Sequence, residues 1–458
     1  MFFHDSLMQG NALSIFDKVN QWYPSLSELT VDTPSTTKIY AATLIVAVCI
    51  ASVRRFLQRR YSNAEGSLYS TQIKHSDQVL SGSSPDQKLT PLESRAIPNL
   101  RLVEVFGINN SFTTADQNFH KDFRKRVKSR LRLTEGQWED TVCRAQLTIS
   151  SYLKLHLKQA EGTRLAVPLV PMVRVVVLKV ILGTVVEGHR GNLPPINLEF
   201  RILEQVADII NRLWILSKSE GVSSTSRSLL DQLNKFLMQL LPEAQDYPLN
   251  IILPSFETMW RVVIRGIMEL RFRDYDTWQS HYQGMIKNIL IDPSQQMMKK
   301  SDSRSAVSIE NIVNEILRLY PPTRRIYRAV SAAHGCPPAI VGVDVESLHR
   351  DPGVWGGDSL CFRPSRWQNG LSKVQQAAFF PFGKKNFICP AKSPFAPRML
   401  AILVGAISTG IGHDANLSWG QERNYFAEQE PISNHREDLE SLSVYYIDPN
   451  PLMITQHS

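Results

Sequence analysis

Apolar residues return every three or four positions along Trp138 to Leu157, Leu198 to Ser217, Ser228 to Leu241, Val307 to Leu319 and Phe395 to Ile407, a period that predicts amphipathic helices. Arg325 to Val330 and Ser443 to Ile447 are short and rich in β-branched and aromatic residues, and so predict strands. No segment repeats at solenoid length. The chain therefore reads as mainly α with small β-sheets.

The N-terminal part reads differently. Ile39 to Val53 is an uncharged, largely apolar run bounded by Lys38 and by Arg54, Arg55, Arg59 and Arg60. At about 1.5 Å per residue it spans roughly 22 Å, against about 30 Å for a bilayer core. Flanking Thr36, Thr37, Phe56 and snorkelling arginines can supply the remainder. A buried helix or a cleaved signal shares this pattern, but the run starts late for a signal and shows no clear small-residue cleavage site. A membrane anchor is expected over 39–57. The basic flank keeps the rest of the chain in the cytosol and leaves 1–38 lumenal. Ser, Gly, Asp and Gln dominate Tyr61 to Ser94, so 58–94 reads as a flexible linker ahead of one large domain, 95–458.

Chemistry concentrates near the C-terminal end. Cys389 lies in Phe380-Pro381-Phe382-Gly383-Lys384-Lys385-Asn386-Phe387-Ile388-Cys389-Pro390-Ala391, a loop able to present a lone thiolate to a metal among aromatic rings. Amides of the turn and of the following helix N-terminus would favour the anion. A lone cysteine in apolar company is otherwise a small buried hydrophobe.

Upstream, Glu315 and Arg318 have the spacing that puts both on one helix face, a spacing that also occurs at Glu161 with Arg164 and Glu187 with Arg190. Only the first pair is closed off by Tyr320-Pro321-Pro322, which ends the helix. Glu257 and Thr258 form an acid and alcohol pair on a helical stretch, where Ser255 or Thr258 acting as a cap is the plain alternative. His120 and Arg124 share a face of a helix crowded with Lys121, Lys125, Arg126, Lys128, Arg130 and Arg132, which is equally a solvated basic face.

Taken in order, these elements resemble the cytochrome P-450 family. Phe382 and Cys389 fall on the family's phenylalanine and cysteine, while Lys385, Phe387 and Ala391 stand where it has glycine, arginine or histidine, and glycine. Phe362-Arg363-Pro364-Ser365-Arg366-Trp367 looks like its meander motif. The resemblance implies that Cys389 is the axial ligand of haem b iron. It also implies that His120, Arg124 and Arg328 hold the haem propionates, and that Glu315, Arg318 and Arg366 form a structural network. Glu257 and Thr258 would be the catalytic pair that supplies protons. The implied fold encloses the haem behind an N-terminal transmembrane helix, with the catalytic domain on the cytosolic side of the endoplasmic reticulum.

The Glu-Thr-Met-Trp-Arg helix and the Cys-Pro-Ala loop are most similar to fungal microsomal members, many of which act in secondary-metabolite biosynthesis. The implied activity is oxidation of a small organic substrate with dioxygen and with electrons from NADPH through a separate reductase. A haem-thiolate isomerase or dehydratase, or a non-catalytic haem-binding scaffold protein, is the alternative.

Composition changes this picture little. The formal charge of +8 is partly local to the Arg54 to Arg60 cluster, suited to headgroups, and to the His120 to Arg132 helix, suited to an acidic partner. No nucleic-acid module and no dinucleotide fingerprint is present. Cys49, Cys143, Cys336, Cys361 and Cys389 lack the spacing of a disulfide framework or a structural metal site.

Overall fold

The computed structural model describes residues 73–81, 88–159, 164–186, 196–218, 222–273, 279–331, 336–412, 416–418 and 430–447, all within the compact unit Tyr69–Ser458. The lumenal segment expected at 1–38 and the anchor expected at 39–57 lie outside these residues. Among the described residues no helix is long and apolar enough to cross a membrane.

The architecture is mainly helical with two small antiparallel sheets. Its principal helices are α1 (Pro91–Ala96), α2 (Leu100–Phe106), α3 (Gln117–Arg130), α4 (Glu135–Gln159), α5 (Leu169–Val185), α6 (Ile196–Leu216), α7 (Ser224–Leu240), α8 (Leu249–Ile267), α9 (Ile309–Leu319) and α10 (Phe395–Gly410). Strands β1 (Arg164–Pro168), β4 (Asn416–Ser418) and β5 (Ser443–Ile447) form one sheet in the order β1-β5-β4. Strands β2 (Arg325–Val330) and β3 (Ala339–Asp344) form the other, with Arg325 opposite Asp344 and Val330 opposite Ala339.

Helix α5 is apolar apart from Arg174 and Lys179, which pair with Glu440 and Glu199, and from Thr184, and Val173, Val176, Val177, Val180 and Ile181 are fully buried. A helix without a polar stripe belongs in the interior. Accordingly α4, α6 and α8 pack around it. Helix α8 also packs on α9 and α10, and so joins the core to the stretch beyond Cys389.

Local signals set the helix ends. Asp116 accepts from the amides of Asn118 and Phe119 and starts α3, while Ser308 accepts from the Asn311 amide and starts α9. Pro254 lies inside α8 and cannot donate to the Asn250 carbonyl. The Asn110 side chain donates to that carbonyl instead, at 3.3 Å.

Part of the 58–94 stretch departs from a tether. Residues 73–81 are helical, and Ile73, Val79 and Leu80 pack with Val343, Trp355 and Phe380 in a small second core. Thr90 and Glu93 then make a capping box that starts α1, and Ser94 Oγ donates to the Ala329 carbonyl at 2.7 Å.

Candidate functional site

The Cys389 loop is built by two tight turns. Gly383 has φ +74°, and a Cβ there would meet the Phe387 carbonyl oxygen at 2.9 Å, so only glycine fits. Lys385 takes φ +47°, a left-handed conformation that costs a side-chain-bearing residue roughly 1 kcal/mol. This is the position at which the resembled family carries glycine. The Cys389 amide donates to the Phe382 carbonyl at 2.8 Å, which folds the loop back on itself.

Helix α10 begins at Phe395, after a turn, so its N-terminus does not abut the sulfur as the sequence led us to expect. Burial pushes the Cys389 thiol up, and the Ala391 backbone amide and the Arg124 guanidinium act against it. Those two groups are the ones placed to favour a thiolate.

Beside the loop stands a group of cations. Arg124 of α3 donates to the Ile388 carbonyl at 2.9 Å. One turn earlier, His120 Nδ1 lies 3.5 Å from Arg95 of α1. The Arg95 guanidinium sits 4.5 Å from the Phe387 ring centroid, and that of Arg328 of β2 sits 4.8 Å from the same ring. Burial, with Arg328 and Arg124 nearby, lowers Arg95 to about 9, and burial lowers Arg328 to about 10. Burial followed by Arg95 and Arg124 also lowers His120.

Among the described residues no carboxylate pairs with any of the four, and the buried Nε atoms of Arg95 and Arg328 have no hydrogen-bond partner. Buried cations without a counter-ion are costly, so this cluster fits an anionic ligand. A group carrying two carboxylates and an iron for the Cys389 sulfur matches the donors present. His120, Arg124 and Arg328 were legible as candidates. Arg95 was not, because it stands at the edge of a polar stretch. The Thr90 to Glu93 capping spacing was the available clue that a helix begins there.

The bracing network has the opposite character. Arg318 grips Glu315 through two bonds, Nε to Oε2 at 2.9 Å and Nη2 to Oε1 at 2.8 Å, and both side chains are fully buried. The Arg363 amide and the Trp367 indole each donate to Glu315 at 2.9 Å, and Arg366 Nε lies 3.4 Å from it. Arg318 also donates to the carbonyls of His349 and Ser359, at 2.8 and 2.6 Å. Burial alone would raise Glu315, but Arg318, and after it Arg366 and the Arg363 amide, hold the carboxyl below its usual range. His349 caps this region by accepting from the Phe380 amide at 3.2 Å, which ties the network to the cysteine loop.

Glu257 and Thr258 lie within α8, so neither Thr258 nor Ser255 is a helix cap. Thr258 Oγ1 donates to the Pro254 carbonyl at 3.0 Å. Glu257 is buried and ion-paired to Arg436, while its Oε2 has no partner. No hydrogen bond or ion pair among the described residues joins either side chain to the Cys389 loop.

The cytochrome P450 family profile matches residues 286–390, which span α9, the Arg366 segment and Cys389. Over 133 residues the chain is 31% identical to cytochrome P450 CYP749A22 of Panax ginseng, covering 27% of this chain and 24% of that protein. It is 41% identical over 88 residues to echinocystic acid 23-monooxygenase of Saponaria officinalis, 17% of each chain. It is 40% identical over 86 residues to 11-oxo-beta-amyrin 30-oxidase of Glycyrrhiza uralensis, 17% of this chain and 16% of that one. The chain thus spans about a quarter or less of the length of these curated relatives. A six-coordinated cytochrome P450 from Thermus thermophilus covers 74% of this chain and 83% of its own at 14% identity and a TM-score of 0.45, a likeness too slight to add weight. The profile match and the sequence relatives show that this stretch of the chain is similar to cytochrome P450 proteins.

Proposed function

We propose that this chain is a haem-thiolate monooxygenase that oxidises a small organic substrate, and that the Cys389 sulfur would hold the iron of haem b. The observation that carries the reading is the set of Arg95, His120, Arg124 and Arg328 gathered beside the Cys389 loop with no acidic partner among the described residues. Two relatives carry the names monooxygenase and oxidase, which supports oxidative chemistry.

Bound haem supplies the redox chemistry that cleaves dioxygen, and a thiolate ligand favours that cleavage. The chain's own residues do the rest. The Ala391 amide and Arg124 act against the burial that raises the Cys389 thiol, and so favour the anion at the sulfur. Arg95, Arg124 and Arg328 would neutralise and orient the two propionates, with His120 beside Arg95 as a further hydrogen-bonding group. Glu257 accepts a proton at its unpartnered Oε2, and Thr258 Oγ1 relays it when its hydroxyl turns away from the Pro254 carbonyl. Glu315, Arg318 and Arg366 keep the loop in register.

On this reading 95–458 is the catalytic domain. It receives electrons from an NADPH-dependent reductase across the basic α3 face, and an anchor at 39–57 holds it to the cytosolic side of the endoplasmic reticulum membrane. The style of the α8 helix supports a fungal secondary-metabolite role. The discriminating experiment measures substrate-dependent NADPH consumption with a reductase present, for wild type and Thr258→Ala. Coupled consumption that drops about a hundredfold in the variant supports the reading. Turnover that needs no NADPH points to an isomerase or dehydratase, and no turnover with haem bound points to a scaffold.

A further inference from the structure

A second group of cations lies away from the Cys389 loop. Trp214, near the end of α6, has the Arg101 guanidinium of α2 at 5.2 Å from its ring and that of Arg436 at 5.4 Å. Arg101 is bonded to Ser217 Oγ and Arg436 to Asn211 Oδ1 at 2.7 Å, both neutral acceptors. Lys218, next to Ser217, has no ion-pair partner among the described residues, and Arg261 of α8 donates only to the Asn434 carbonyl at 3.0 Å. Glu257 is ion-paired to Arg436, and the Glu346 carboxylate also acts on Arg261. Desolvation of its ammonium, then Arg436, Arg261 and Arg101, lowers Lys218, with Glu257 acting in the other direction. The four cations therefore outnumber the two carboxylates.

Apolar surface stands next to this charge. Leu100 is 49% exposed, Val103 37% and Ile215 38%, and they lie on the two packed helices α2 and α6 that also carry Arg101 and Trp214. Exposed large apolar groups beside unanswered cations match a ligand with an anionic head and an apolar body. Arg436 links the group directly to Glu257, one residue from Thr258.

We propose that Arg101 and Lys218, with Arg436 behind them, bind the carboxylate of an otherwise apolar organic acid, and that such acids are the substrate class of this chain. The inference rests on the monooxygenase reading, because it makes the Glu257 side of α8 the substrate side. A guanidinium and an ammonium on one carboxylate give charge-assisted bonds, and the exposed Leu100, Val103 and Ile215 offer apolar surface to the body.

The test uses the purified haem-loaded protein with matched probes: dodecanoic acid and naphthaleneacetic acid, each against its methyl ester. Binding is read by tryptophan fluorescence quenching and by the shift of the haem absorption band. Each acid is expected to bind about tenfold or more tightly than its ester. Arg101→Gln with Lys218→Gln should abolish that preference, and Arg101→Lys should keep most of it. Equal binding of acid and ester, a preference that survives the double variant, or no binding of either acid overturns the proposal. A thermal melt of each variant checks that it is folded. The carbon monoxide spectrum of the same preparation separates the two ideas: a thiolate band without acid preference sinks this inference alone, whereas a missing band sinks the reading beneath it.

Discussion

Around Glu315 the buried charges are answered by one another and by neighbouring groups, whereas around Phe387 the buried cations meet no carboxylate among the described residues. Glu315 takes both bonds of Arg318, an indole, an amide and a second guanidinium, so the network is complete when the chain folds. Arg95 and Arg328 have a shared aromatic ring, a few neutral neighbours and free Nε atoms. A closed set of buried charges serves the fold, and an open set awaits a ligand of opposite sign.

The comparison breaks most visibly at Glu315. Glu315→Gln leaves Arg318 buried without its carboxylate, while Arg366 keeps Asp358 at 3.0 Å, and should cost the haem-free protein about 3–5 kcal/mol in chemical denaturation. Arg95→Leu should do the reverse. It should leave the haem-free protein as stable as before or more so, while haem passes to apomyoglobin about tenfold faster or more. If Arg95→Leu destabilises the haem-free protein as Glu315→Gln does, the two regions are not different in kind.

His349 sharpens the contrast through pH. Burial first, then the nearby Arg318 charge, lowers it to about 3, against about 6.5 for an unfolded histidine. A histidine depressed in the folded state contributes fully above the unfolded value and loses that contribution as pH falls toward the folded one. Stability should therefore fall between about pH 6.5 and pH 3 by up to about 1.4 kcal/mol per pH unit from this group, with a shallower slope in His349→Gln. The smallest effect is expected at Lys385, where Lys385→Gly relieves the positive φ and should raise stability by about 0.5–1 kcal/mol.

Legibility in the sequence followed locality. The Glu315, Arg318 and Arg366 network could be read because two members sit one helical turn apart and paired prolines mark where the helix stops. Helix α5 gave no period to read, since a helix buried on every side has no polar face. Arg95 and Phe387 were opaque for a third reason: their relation exists only after α1, β2 and the cysteine loop have come together. The histidine or arginine missing at Phe387 looked like a loss in one dimension. In three dimensions the ring holds two guanidiniums that no local pattern links to it.

The most direct test of the central claim is the reduced carbon monoxide difference spectrum of the wild-type protein beside Cys389→Ser, prepared with haem in excess. The account predicts a thiolate-ligand band in the wild type and its loss in the variant. Wild-type protein that folds without taking up haem, or a band unchanged by Cys389→Ser, would contradict it.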